Sequence, residues 1–199
     1  MNPKDLKKVD QQVIKAERAF NRLCATSDPD ETMDAWEDFL TAIGKIYFKL
    51  RAATPLSGPS DAWLGRKTKE RRDDPLLEYV FQSRNSDTHG IEDVTQTWSN
   101  FNFGLGSDSP ILGINAPESG SISDVVGILP SGERVPIPTI ETRIVRLITV
   151  HDRKHDDSYE VPSTHFGDRL PHPLEPAYVA GLALNYIKDL VQEAWKQVP

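Results

Sequence analysis

Ala25-Thr26-Ser27-Asp28-Pro29-Asp30-Glu31 is the stretch on which the reading of the fold turns. Ser27-Asp28-Pro29 stops one helix and starts another. An Asp side chain can accept from a free N–H of the helix that follows it, and Glu31 completes a box-like capping pattern. Pro29 suits the first helical position, where its fixed φ fits and no donor is lost. Upstream, Leu6, Val9, Val13, Ala16, Phe20 and Leu23 recur at spacings of three and four, one buried stripe that predicts a helix over roughly residues 4–26. Downstream, Met33, Trp36, Leu40, Ile43, Tyr47 and Leu50 repeat the pattern until Ala53-Thr54-Pro55-Leu56-Ser57-Gly58-Pro59 ends it. Two long amphipathic helices joined this tightly form an antiparallel hairpin, the start of a helix bundle.

Further along, Ser60-Asp61-Ala62-Trp63-Leu64 opens a short third helix, and a basic segment leads from it to Asp74-Pro75. That pair repeats the cap-plus-proline start, so a fourth helix begins near residue 75, with Leu77, Val80, Phe81, Thr88 and Ile91 facing inward and Gly90 weakening it. After Pro171-His172-Pro173, the residues Val179, Leu182, Ala183, Tyr186, Leu190 and Ala194, with Leu184, Ile187, Val191 and Trp195 beside them, make a stripe wide enough to be buried on two sides.

Between these helical parts the composition changes. From about Thr95, Gly, Pro and Ser become dense and short β-rich runs replace helical stripes. Trp98-Ser99-Asn100-Phe101-Asn102-Phe103 alternates large and polar residues as a strand does. Val125–Leu129 and Arg134–Ile137 flank the turn Pro130-Ser131-Gly132-Glu133, and Pro136 and Pro138 confine the second run to a sheet edge. Thr142–Val150 is the strongest strand, and the chain returns through Asp152–Asp157 to Tyr159-Glu160-Val161. The expected class is α+β: a mainly helical bundle over residues 1–94, a β-rich insert with a small antiparallel sheet over 95–172, and a C-terminal helix over 173–199 completing a single domain.

The chemistry-bearing residues cluster in the fourth helix, as Arg84-Asn85-Ser86-Asp87-Thr88-His89. Arg stays charged at any workable pH and offers phosphate a planar fork of donors, while His can take or give a proton near neutrality. Together they suffice to cleave a phosphodiester through the substrate's own 2′-hydroxyl. The spacing alone carries little weight: with 12 Arg and 5 His in 199 residues, chance gives about 0.3 such pairs. A second match, Arg146 to His151, falls in a strand-like run.

The context carries more. Leu76-Leu77-Glu78-Tyr79-Val80-Phe81-Gln82-Ser83-Arg84-Asn85-Ser86-Asp87-Thr88-His89-Gly90 resembles the motif helix of the HEPN superfamily of helical-bundle proteins, in which an Arg, commonly followed by Asn, precedes a His after four to six residues. The resemblance covers the helical parts and does not reach the insert. It implies a metal-independent endoribonuclease of toxin or defence type, acting as a homodimer on single-stranded RNA. In that reading Arg84 binds and neutralises the phosphate, and His89 is the general base or acid. Asn85 orients one of them, and Asp87 fixes the imidazole tautomer. Residues five apart on a helix lie roughly 140° apart around its axis, so a cleft facing a second copy accommodates both better than a flat surface. Ile91 stands where related toxins often carry a Tyr two residues after the His, which removes support for regulation by modification of such a Tyr.

Composition sets limits. The net charge of −7 and pI near 5.2 argue against indiscriminate nucleic-acid binding, which needs a broad basic surface. Arg66, Lys67, Lys69, Arg71 and Arg72 are the exception, five cations in seven residues placed to hold RNA phosphates, against the alternative of a solvated loop balanced by Asp73 and Asp74. No apolar run approaches the ~18–20 residues of a membrane span. A start without a signal-like stretch leads to the expectation of a cytoplasmic protein. The single Cys24 reads as a small core residue. His151, His155, His165 and His172 prompt the thought of a metal site, but Arg153 and Lys154 would repel a dication, and no metal or cofactor is expected. An antitoxin protein is a candidate partner. The competing expectation is a non-catalytic, dimeric interaction or nucleotide-binding module.

Overall fold

A computed structural model describes residues 1–56, 58–89, 95–103, 113–115, 126–137, 139–152 and 156–198, with side chains described for all of these except 86–89, 96–103, 113–115 and 139–142. Five helices dominate: α1 (Pro3–Ala25), α2 (Pro29–Ala53), α3 (Pro59–Asp73), α4 (Pro75–His89) and α5 (Pro176–Trp195). Each begins with proline at its first turn, where the missing N–H has no intrahelical use. Side chains cap three of them: Asn2 Oδ1 accepts from Lys4 N, Asp28 Oδ1 from Glu31 N and Asp74 Oδ1 from Leu77 N, each at 2.9 Å. The hairpin expected from Asp28-Pro29 is present, with α1 and α2 packed along their length.

The chain divides into two compact units, one of residues Met1–Thr97 with Val145–Pro199 and one of Trp98–Ile144. In the first, Leu6, Val9, Trp36, Phe39, Leu40, Ile43, Ile46, Leu50, Leu76, Tyr79, Ile187 and Leu190 are fully buried. Helix α5 covers α1 and α2 and also meets α4, which explains its wide apolar stripe. The two ends of this unit are tied together, since the Met1 ammonium donates to Gln197 O at 2.8 Å and Asn2 N to Ala53 O at 2.9 Å.

The basic segment is not the solvated loop of the alternative reading: α3 runs unbroken through it to Asp73, because Lys and Arg are good helix formers and nothing before Pro75 breaks the ladder. Cys24 is exposed rather than part of the core, one position past the buried Leu23.

The β-rich residues form several small sheets rather than one. Strands β1 (Thr95–Phe103) and β5 (Thr139–Leu147) pair, and the chain passes between the two units within them. In the second unit, β2 (Gly113–Asn115), β3 (Val126–Ile128) and β4 (Arg134–Pro136) form an antiparallel sheet with β4 at its edge, where Pro136 costs no ladder bond. The β3–β4 turn closes as expected: Gly132 N donates to Leu129 O at 2.8 Å, with Gly132 at φ 81°. Val125 and Pro138, named with these strands, lie outside the described residues. Residues 145–172, expected within the insert, belong to the helical unit. There β6 (Val150–Asp152) pairs antiparallel with β7 (Asp157–Tyr159), and β8 (Thr164–His165) with β9 (Asp168–Arg169). Strands β6, β7 and β8 pack on α4.

Candidate functional site at the end of helix α4

Helix α4 is held on nearly every side. Leu76, Leu77, Tyr79 and Val80 are buried, and the Tyr79 hydroxyl donates to Ile148 O at 2.8 Å. Burial pushes the Tyr79 phenol well above its ordinary range, so it stays a neutral donor at any physiological pH. The last part of this clamped helix carries the candidate residues, and its backbone is helical through His89.

Arg84 lies half-buried against α2 at Gly44. A Cβ at Gly44 would stand 2.5 Å from Arg84 Nε and 2.8 Å from its Cδ, so glycine is what admits this side chain. Arg84 Nη1 donates to Asn85 Oδ1 at 3.2 Å, and Asn85 Nδ2 donates to Gln82 Oε1 at 3.1 Å. Gln82 Nε2 donates in turn to Glu78 Oε1 at 2.7 Å, and Glu78 Oε2 accepts from Arg71 of α3. A line of polar contacts thus runs up one side of α4. The side chains of Asp87 and His89 lie outside the described residues, as do Gly90 and Ile91.

The five cations of α3 are not one surface. Arg71 is 4% exposed; its guanidinium pairs with Glu78 and sits 3.8 Å from the centre of the Phe81 ring, against the Tyr47 ring as well. It is taken up by the core of the bundle and has no face to offer RNA. Lys67 reaches Glu70 at 3.3 Å and Glu193 of α5 at 3.1 Å. Partial burial works against the charge of Lys67, but the bonds to Glu193 and Glu70 outweigh it and leave its pKa raised. Lys69 pairs with Asp73 in solvent, and Arg72 is exposed. Arg66 and Lys69 line a common concavity, a cleft of ≈ 530 Å³ with Glu70, Asp73 and Asp74 on its wall and Phe166 and Gly167 at its rim.

Asp74 is the residue whose weight the sequence understated. Besides capping α4, its carboxylate accepts from Phe166 N at 2.6 Å and lies 3.0 Å from His165 Nδ1, with the carboxylate 2% exposed. It thereby pins the β8–β9 turn to the start of α4. Phe166 and Gly167 both have positive φ, 47° and 88°, the pattern of a two-residue type I′ turn. A non-glycine residue there is uncommon, and Phe166 packs its ring on His165 and Tyr186. The Asp-Pro motif signalled the cap, but nothing local signalled a partner 91 residues away. His165 is thus engaged by a carboxylate, and His172 and His151 are apart from it in sequence and element. Among the described residues no group of three or more His, Cys, Asp or Glu could hold a metal ion, and His155, Arg153 and Lys154 lie outside them. Among the described residues no helix is long and apolar enough to cross a membrane.

The arrangement at the end of α4 can therefore fix a guanidinium in place, with the helix that bears it clamped by α2, α3 and the small strands. In comparison with known proteins, no family model, no curated protein and no solved structure matches this chain.

Proposed function

We propose that the chain is a HEPN-like, metal-independent endoribonuclease of toxin or defence type, acting as a homodimer on single-stranded RNA through the 2′-hydroxyl of the substrate. The observation that carries the reading is the seat of Arg84: a permanent cation whose side chain is laid over the bare backbone of Gly44 and steadied by Asn85. A fixed cation stabilises charge that builds on a phosphate without having to reorganise at the moment of reaction. His89, five residues on along the same helix, is the general base toward the 2′-hydroxyl or the general acid toward the leaving oxygen. Asp87 sets its tautomer. With one such His per chain, the second proton-transfer role falls to the partner protomer.

The rival is a non-catalytic dimeric module, and one observation favours it. The line of bonds from Arg84 through Asn85, Gln82 and Glu78 to the buried Arg71 is also how a purely structural polar seam looks. RNA cleavage by the purified protein in excess EDTA separates the two. Wild type should leave 2′,3′-cyclic phosphate ends, and His89→Ala should be slower by roughly 10²–10⁴. Equal rates of cleavage by both proteins would refute the role given to His89, and no cleavage by a well-folded dimer would leave the module as the surviving reading.

A further inference from the structure

The two longest helices carry a feature that the site on α4 does not use. Along α1, Gln12, Lys15, Arg18 and Arg22 recur at spacings of three and four, so they share one face. Along α2, Asp38, Thr41 and Lys45 do the same. The two rows flank a cleft of ≈ 380 Å³ between the helices. At one end Arg22 pairs with Asp38 at 2.6 Å. Antiparallel helices rise equally, so residues 15 and 45, each seven positions from that pair, come opposite each other about 10 Å along the groove. Both are lysines, and they line the cleft with no acid between them.

Nothing in the described protein neutralises this end. Lys15, Arg18 and Lys45 have no ion-pair partner among the described residues. Glu17, the nearest acid along α1, is engaged by Lys188 of α5 at 2.7 Å. Three uncompensated cations in one concavity stand out in a chain of net charge −7, where a random surface would be acidic. The floor carries a second sign of a ligand. Gln12 is 7% exposed, lines the cleft, and its Oε1 has no hydrogen-bond partner among the described residues. A buried amide without a partner is costly, and rotation of the amide by half a turn exchanges its acceptor for N–H donors.

We propose that the α1–α2 cleft is a binding site for adjacent phosphate groups, with Lys15, Lys45 and Arg18 matching their charge and Gln12 and Thr41 supplying neutral hydrogen bonds. Charge decides against a simple carboxylate: three unpaired cations call for a ligand bearing about three negative charges, which a polyphosphate or two or three consecutive nucleotides carry. Size agrees, since the cleft falls in the range of small-ligand pockets. The shared chemistry has two sources, the triphosphate of a free nucleotide and the backbone of an RNA strand. The site lies on residues other than those assigned to cleavage and stands whether or not the protein cuts RNA.

The test uses the full chain and two probes, ATP without metal and a fluorescein-labelled 12-nucleotide uridine RNA, each titrated at two salt concentrations. Wild type should bind at least one of them, more weakly at the higher salt, and the bound ligand should raise the melting temperature. Lys15→Gln/Lys45→Gln should weaken that binding by on the order of tenfold per lysine. The variant itself should melt no lower than wild type, because it relieves repulsion between exposed like charges. Arg18→Gln is the second variant, with a smaller loss expected from one cation. ATP binding alone identifies a nucleotide site, and RNA binding alone identifies a backbone site; either supports the proposal. Binding of neither probe, or binding that is the same in wild type and the double variant, would overturn it.

Discussion

Replacing Gly44 by alanine sets two effects of opposite sign against each other, and Arg84 decides which wins. Gly in a helix interior is worse than Ala by about 1 kcal/mol, so the substitution gains that much from the backbone alone. The new Cβ, however, would stand 2.5 Å from Arg84 Nε, 2.8 Å from Cδ and 3.1 Å from Cγ, along the middle of the side chain rather than at its tip. Overpacking of this kind costs typically about 1–3 kcal/mol. Gly44→Ala should therefore be destabilising by up to about 2 kcal/mol, or close to neutral if Arg84 escapes cheaply. In an Arg84→Ala background the obstacle is gone, and the same change should stabilise by about 1 kcal/mol. The two backgrounds should thus differ by roughly 1–3 kcal/mol, well outside the ~0.5 kcal/mol expected of independent sites. Thermal melts of the four proteins read this directly, since each kcal/mol moves the midpoint by about 2–4 °C in a chain of this size. If Gly44→Ala stabilises equally in both backgrounds, Arg84 does not lie on Gly44 and the seat proposed for it is wrong. The same variant bears on activity: a cation displaced by about 1 Å can cost on the order of 10²-fold in rate while the protein stays folded.

Other perturbations follow from the same geometry. Arg71→Met leaves Glu78 partly buried without its cation and should cost about 3–5 kcal/mol in chemical denaturation, and adding Glu78→Leu should restore much of it. A single variant that melts like wild type would show that the pair does not hold α3 to α4. Asp74→Ala removes the helix cap and the acceptor for Phe166 N together, so the β8–β9 turn should become the first site of limited proteolysis, at a cost of about 1–3 kcal/mol. The Glu193 carboxylate is held below its ordinary value of 4.5 by the Trp63 indole N–H and by Lys67, against an opposing effect of burial. Its folded pKa is depressed, so its stabilising contribution is complete above that ordinary value and is lost as the pH falls through the lower, folded one. The melting difference between wild type and Glu193→Gln should stay constant above about pH 5.5 and shrink on acidification; a difference that grows toward acid pH would reverse the assignment.

The helical scaffold was legible because its determinants are local. Threes-and-fours spacing and the Asp28-Pro29 and Asp74-Pro75 starts act within one or two turns, so the stripe of α1 and the starts of α2 and α4 follow from neighbouring residues. The β3–β4 hairpin was legible for the same reason, with its Gly132 turn and Pro136 edge. Arg84 and Asn85 could be singled out by residue type, since a guanidinium and an amide announce their chemistry wherever they fall.

What only the tertiary structure decided is which charges are available. Arg66, Lys67, Lys69, Arg71 and Arg72 look alike in the sequence, yet Arg71 is sunk onto Phe81, Lys67 and Lys69 are paired with acids, Lys69 shares a cleft with Arg66, and Arg72 is exposed. Lys15, Arg18 and Lys45 are scattered through two amphipathic helices and become one groove only when those helices lie antiparallel. Gly44 reads as an ordinary weak point in a helix until Arg84, 40 positions later, is laid across it. Helix formation depends on neighbours within about four residues, whereas burial and pairing of charge depend on chain segments brought together from far apart, and that difference in range separates what could be read from what had to be seen.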